Sequence, residues 1–235
     1  MNETPSVFHI DGLDLSFVPK PWAFATERRS EIDTFFTALQ REKPAIWNGR
    51  VLLMHRQAMT DGVFRGEYLE TDYASFAAWC HWGRPAAKVN DCFSAAAILT
   101  ADGAFLLGVM GPSTFNAGKI YFPCGTPDPD DLVGGKVDLE LSVGRELKEE
   151  TGLDVGEFKV EPGWTMVIDG PLIAQIKVLR AKGGSAAMRG RILAHIASDR
   201  HSELVDIRVV RGRADLDPAM PRFVTAFLAS RLGSG

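Results

Sequence analysis

Arg145-Glu146-Leu147-Lys148-Glu149-Glu150-Thr151-Gly152-Leu153 decides how the rest of the chain is read. Leu139, Val143 and Leu147 recur at four-residue spacing behind Asp138, a residue type that caps helices, and Gly152 stands where a left-handed C-terminal glycine belongs. The spacing predicts a helix over 139–151. Its last turns carry Glu146, Glu149 and Glu150, at the end where the macrodipole already places partial negative charge. Residues three and four apart share a helix face, so the three carboxylates are expected to converge. Like charges gathered this way are unfavourable, and a hard divalent cation reverses the sign of that cost. Oxygen-only ligation by carboxylates suits magnesium or manganese rather than zinc.

A Glu-rich helix is by itself usually a solvated face, but the full string is more demanding. R-E-apolar-x-E-E-x-G-apolar resembles the second half of the Nudix box, with every specified position filled. The first half is looser. Phe122-Pro123-Cys124-Gly125 is similar to the F-P-G-G entry of that box, with Cys124 in place of the first glycine. After five intervening residues Gly125 is followed by Asp131, an acid where the family has glutamate. Thirteen residues rather than seven then separate Asp131 from Arg145, so six extra residues are expected near Gly134-Gly135, a pair suited to a turn.

The resemblance implies hydrolysis of a pyrophosphate bond in a nucleoside diphosphate derivative, with Mg²⁺ or Mn²⁺ as cofactor. It implies Glu146 and Glu150 as principal metal ligands and Glu149 as a third ligand or general base. The Cys124 carbonyl would complete the shell, and Gly125 would permit the chain to bend there. Arg145 either orients a box glutamate or is a plain surface partner of Glu149. Asp131 stands for the loop acid, and Lys119, ahead of the box, could meet a substrate phosphate. A further carboxylate from beyond the box is expected, and of Glu203, Asp169 and Asp206 the first fits best. Pro44-Ala45-Ile46-Trp47-Asn48-Gly49 and the hairpin after it are similar to UDP-sugar-hydrolysing relatives, which makes a nucleotide sugar the favoured substrate. The alternative is a Nudix domain that binds a nucleotide as a sensor without turning it over.

Around the box, strands and helices alternate, which gives an α/β class: a Nudix-type α/β/α sandwich with a mixed sheet over 90–235 and an N-terminal α+β extension over 1–89. Ser6 to Val18 predicts a strand pair turning at Asp11-Gly12, and Thr60-Asp61-Gly62 a hairpin between Arg50–Met59 and Val63–Leu69. Across 235 residues, a net charge of −4 without a basic stripe argues against nucleic acid as partner. The apolar run Cys92–Met110 is broken by Thr100-Ala101-Asp102-Gly103 and reads as two strands, not a membrane span. Three cysteines without metal-type spacing, and no signal-peptide pattern at the start, predict a reducing, cytoplasmic setting. Nudix proteins often pair, so the resemblance admits a homodimer in which residues 1–90 supply the contact, without the sequence deciding the oligomeric state.

Overall fold

The computed structural model describes residues 4–233. In chain order the first part holds β1 (Ser6–Ile10), β2 (Gly12–Phe17), α1 (Ala23–Glu27), α2 (Arg29–Glu42), β3 (Arg50–Thr60), β4 (Val63–Asp72) and α3 (Tyr73–His81). Next come β5 (Asp91–Leu99), β6 (Phe105–Met110), β7 (Ile120–Tyr121), β8 (Cys124–Gly125), β9 (Leu132–Val133), β10 (Lys136–Val137) and α4 (Leu139–Thr151). The chain ends with β11 (Lys159–Val160), β12 (Trp164–Asp169), β13 (Leu172–Arg180), α5 (Ser185–Ser198), β14 (Leu204–Val210) and α6 (Arg222–Arg231). No helix among the described residues is long and apolar enough to cross a membrane.

The chain divides into two compact units that interleave in sequence. One unit takes the chain up to Asp11, Phe93–Gly125, and everything from Leu139 on. The other takes Gly12–Cys92 and Thr126–Asp138. The expected Ser6–Val18 hairpin is the clearest departure. Both strands form, but Asp11 separates two destinations: β1 pairs antiparallel with β12, while β2 runs parallel to β4. Alternation of side chains fixes a strand's faces, not its partner.

In the first unit the sheet order is β1-β12-β13-β5-β6-β14, with β7 and β8 paired to β6 and β5. Ala181 N–H bonds Leu99 O and Ala101 N–H bonds Gly183 O, so β5 and β13 lead into the same end side by side; the other pairings are antiparallel and the sheet is mixed. Helix α4 lies against β8 and α5, and α6 lies against β12 and β1. This is the α/β/α arrangement that the alternation of elements predicts. Phe105 of β6 and Phe122, just after β7, meet Phe227 of α6 edge-on, at centroid distances of 5.6 and 5.2 Å. Such T-shaped contacts suit ring quadrupoles and add to the burial of large apolar area.

The second unit is built on the order β3-β4-β2-β10-β9. Asp61 and Gly62 both take positive φ (50° and 74°), the requirement of a two-residue turn that matches strand twist. Helix α3 begins at Asp72, whose carboxylate accepts the Ser75 N–H at 2.9 Å. Trp22, Ile32, Phe36, Leu53, Leu69 and Trp79 form its apolar core. The residues around Gly134-Gly135 belong here too: β9 and β10 form a hairpin across that pair (φ 57° and 80°), and β10 adds to β2 through Lys136 opposite Ser16. The Lys136 ammonium reaches Asp14 at 2.8 Å.

Phe227 is fully buried at the meeting point of the aromatic contacts. Phe227→Ala is expected to cost about 3–5 kcal/mol, the range for truncating a large buried aromatic. Urea unfolding should show the lower midpoint; a loss under 1 kcal/mol would mean the site collapses around the smaller side chain.

Candidate active site

Helix α4 ends where the sequence places its end. Gly152 has φ 70° and its N–H returns to Lys148 O at 2.9 Å. The Thr151 hydroxyl turns back onto Leu147 O. His195 of α5 closes the helix from outside, its Nε2 3.0 Å from Glu149 O. A Cβ at Gly152 would come within 2.6 Å of the His195 ring, so the position needs glycine for both dihedral and space.

Leu139, Val143 and Leu147 point into the core, and this fixes where the acids go. Glu150, three residues after Leu147, is carried inward and is only 7 % exposed. One of its carboxylate oxygens accepts the Cys124 N–H of β8, while Oε2 is buried with no hydrogen-bond partner. Burial, then Glu146, then Glu203 raise this carboxyl well above the usual carboxylate range. Glu146, one turn earlier, packs over the same strand. A Cβ on Gly125 would collide with its carboxylate, so Gly125 supplies room rather than an unusual dihedral.

Glu149 departs from the expected convergence, because 60 % of its side chain is in solvent. Arg145 lies between the two acids, 2.9 Å from Glu146 Oε1 and 3.7 Å from Glu149 Oε2. Glu203 comes in from the residue before β14, its carbonyl taking the Gly111 N–H at 2.7 Å. The residue stays exposed, yet partial loss of hydration and the charge of Glu149 raise its carboxyl as well. Its open surface keeps that effect smaller than at Glu150.

The other expected residues are placed less centrally. Asp131 is fully buried in the second unit, where its Oδ2 accepts the Asp128 N–H at 3.1 Å in a capping box. In this structure its carboxylate has no accessible surface, and the bond that it makes serves the loop. Lys119 is exposed at the end of the 111–119 loop, its carbonyl bonded by Met110 N–H. Asp169 pairs with Arg222 and Asp206 with Arg189, which leaves Glu203 as the outlying acid near the helix. Sequence reasoning puts Tyr121 on the approach to Phe122-Pro123-Cys124-Gly125 but gives it no role. Its buried phenol is raised by burial and then by Cys124, Glu150 and Glu203, which places it at the cluster. A tyrosine two residues before Pro123 carries no recognisable pattern, so only its surroundings reveal it.

Among the described residues, no three His, Cys, Asp or Glu side chains come together closely enough to hold a metal by themselves. The arrangement is a pair, Glu146 and Glu150, over the backbone of Cys124-Gly125, with Glu149 and Glu203 outside it. This still fits a magnesium ion, which commonly keeps several waters and takes only one or two carboxylates. The buried, unpartnered Glu150 oxygen beside like charges is the feature a cation would relieve.

No protein-family model and no curated protein matches the chain. Solved structures do. A Nudix hydrolase from M. smegmatis, RenU, is 17% identical over 60% of this chain and 81% of its own, with a TM-score of 0.38. The MutT protein from Methanosarcina mazei Go1 is 19% identical over 60% of this chain and 92% of its own, with a TM-score of 0.41. The likeness is to Nudix proteins. At that level of superposition it says nothing of activity.

A carboxyl raised in the folded state binds a proton there more readily than in the unfolded chain. Stability from Glu150 is therefore present below the unfolded carboxyl value of 4.5 and is lost as pH rises towards its higher folded value. Glu150→Gln is expected to raise the metal-free melting temperature at pH 7.5 more than at pH 4.5. It should also remove the stabilisation that Mg²⁺ gives wild type at pH 7.5. Thermal denaturation at both pH values, with EDTA or Mg²⁺, reads both effects; equal shifts at the two pH values would contradict the assignment. Gly125→Ala should displace Glu146 and weaken Mg²⁺ binding about tenfold or more by calorimetry, on the scale seen when the groups that orient ligands are lost.

Proposed function

We propose that this protein hydrolyses the pyrophosphate bond of a nucleoside diphosphate derivative with Mg²⁺ or Mn²⁺ as cofactor, a nucleotide sugar being the favoured substrate. The observation that carries this reading is the Glu146–Glu150 pair on one helix end, one acid buried with an oxygen unpartnered, over the Cys124-Gly125 backbone. The R-E-apolar-x-E-E-x-G-apolar string and its F-P-C-G companion support it. So does the Pro44–Gly49 run for the sugar.

Glu146 and Glu150 would hold the ion, with the Cys124 carbonyl and Glu203 as further oxygen donors. A divalent cation there neutralises diphosphate oxygens and makes bound water more acidic. The chain's own residues do the rest. Arg145 holds the Glu146 carboxylate towards β8, and its second contact keeps Glu149 near the same face. Glu149, open to solvent, is the group placed to take a proton from an attacking water. Lys119, exposed ahead of β7, can meet a phosphate of the incoming substrate without entering the acid cluster. Catalysis by such a site is chiefly positioning and charge stabilisation.

The second reading, a nucleotide sensor, has one observation in its favour: the acids form a pair rather than a closed three-acid set. A panel of nucleotide sugars, dinucleotides and nucleoside di- and triphosphates with Mg²⁺ or Mn²⁺ separates the two. Turnover is expected for at least one nucleoside diphosphate derivative, and Glu150→Gln should lower kcat by about a hundredfold or more, the scale for losing a preorganised charge. Binding of a nucleotide without any turnover across the panel would favour the sensor.

A further inference from the structure

Tyr121 brings to the acid cluster a neutral hydroxyl donor, which the glutamates do not supply. It sits at the end of the two-residue strand β7, opposite Gly108 of β6, and is 7 % exposed. Asn116, on the exposed loop that follows β6, donates from Nδ2 to its hydroxyl oxygen at 3.3 Å. That bond uses the oxygen as acceptor and leaves the phenolic proton to be given elsewhere. Among the described residues no acceptor receives it. Glu150 Oε2, the nearby oxygen that could, has no hydrogen-bond partner. A buried hydroxyl proton without an acceptor is costly unless something else takes it.

The neighbourhood says what that something is. The side chains that act on Tyr121 and Glu150 electrostatically are Cys124, Glu146, Glu149 and Glu203. Ionised carboxylates only accept hydrogen bonds, and the Arg145 guanidinium faces Glu146 and Glu149. A phosphoryl group brought to these acids by a cation presents non-bridging oxygens that need donors. The phenol is neutral, since burial and the surrounding acids hold its proton firmly.

Resting on the diphosphate reading above, we infer that the Tyr121 hydroxyl binds substrate by donating to a non-bridging phosphoryl oxygen at the Glu146–Glu150 pair, with Asn116 as the positioning residue that orients it. A purely structural tyrosine would pack through its ring and tolerate loss of the hydroxyl. Tyr121→Phe keeps the ring and removes only the oxygen and its proton.

Steady-state kinetics on the substrate found by the panel give the first readout. Tyr121→Phe is expected to lower kcat/KM by about ten- to a hundredfold, below or near the cost of losing one preorganised donor. Its Mg²⁺ affinity and melting temperature should stay at wild-type values. Asn116→Ala should cost less, and should cost nothing further in the Tyr121→Phe background. Wild-type kinetics in Tyr121→Phe, or a loss that merely tracks lost Mg²⁺ binding, would overturn the inference. Calorimetry with imidodiphosphate and Mg²⁺ gives a readout free of turnover, in which Tyr121→Phe should bind at least about fivefold more weakly, as for one lost hydrogen bond to a charged group. If wild type turns over nothing on the panel, the proposed hydrolysis fails while this binding arm still decides Tyr121. Equal imidodiphosphate affinity in wild type and variant, or no binding by wild type, overturns the inference.

Discussion

A carboxylate buried against a backbone strand is the constraint on which the site depends. Glu150 lies inside because Leu147 does: the helix turns both towards the sheet, and the acid follows its apolar neighbour. The strand offers it one N–H, from Cys124, and Glu146 and Glu203 then add charge of the same sign. Left so, its surroundings shift the group towards its neutral form. A cation with its own charge changes that balance, which is why burial, ordinarily an argument against an ionised group, here points to a ligand. Gly125 belongs to the same constraint. Only a residue without a side chain lets Glu146 lie on the strand beside Glu150.

The segment between β8 and α4 leaves one unit and returns to it. β8 and α4 both belong to the unit that carries the acids, while residues 126–138 between them belong to the other. The residues around Gly134-Gly135 form a hairpin with backbone bonds of its own, and that hairpin extends the sheet through Lys136 and Ser16. Its buried acid, Asp131, serves the turn: one oxygen holds Asp128 N–H, and its carbonyl takes the Asp138 N–H at 2.8 Å, just before α4 begins. The acid that the family pattern led one to place at substrate is thus used to fold the approach to the helix.

Much of the secondary structure was legible because its signals are local. The bounds of α4 follow from the Leu139-Val143-Leu147 spacing and Gly152, and the Asp61-Gly62 turn follows from the need for two positive φ values. What failed was partnership. Ser6–Ile10 and Gly12–Phe17 have the alternation of a hairpin, yet they join different sheets, because pairing depends on which distant strand has an open edge. The same limit explains Tyr121. Nothing in its sequence neighbours marks it, and its meaning comes from Asn116, Glu150 and Glu203.

By itself the sequence determined the acid-ended helix, the glycine that stops it, the α/β class and the chemistry that three clustered carboxylates suggest. These depend on 3.6-residue periodicity and on residue types, and both are written in consecutive letters. The tertiary structure alone decided that Glu150 is buried while Glu149 is open, that Asp131 is sealed away, and that a tyrosine joins the acids. Which face of a helix meets the sheet, and at what depth, is set by packing between elements far apart in the chain. A charge acquires its chemical meaning from that depth.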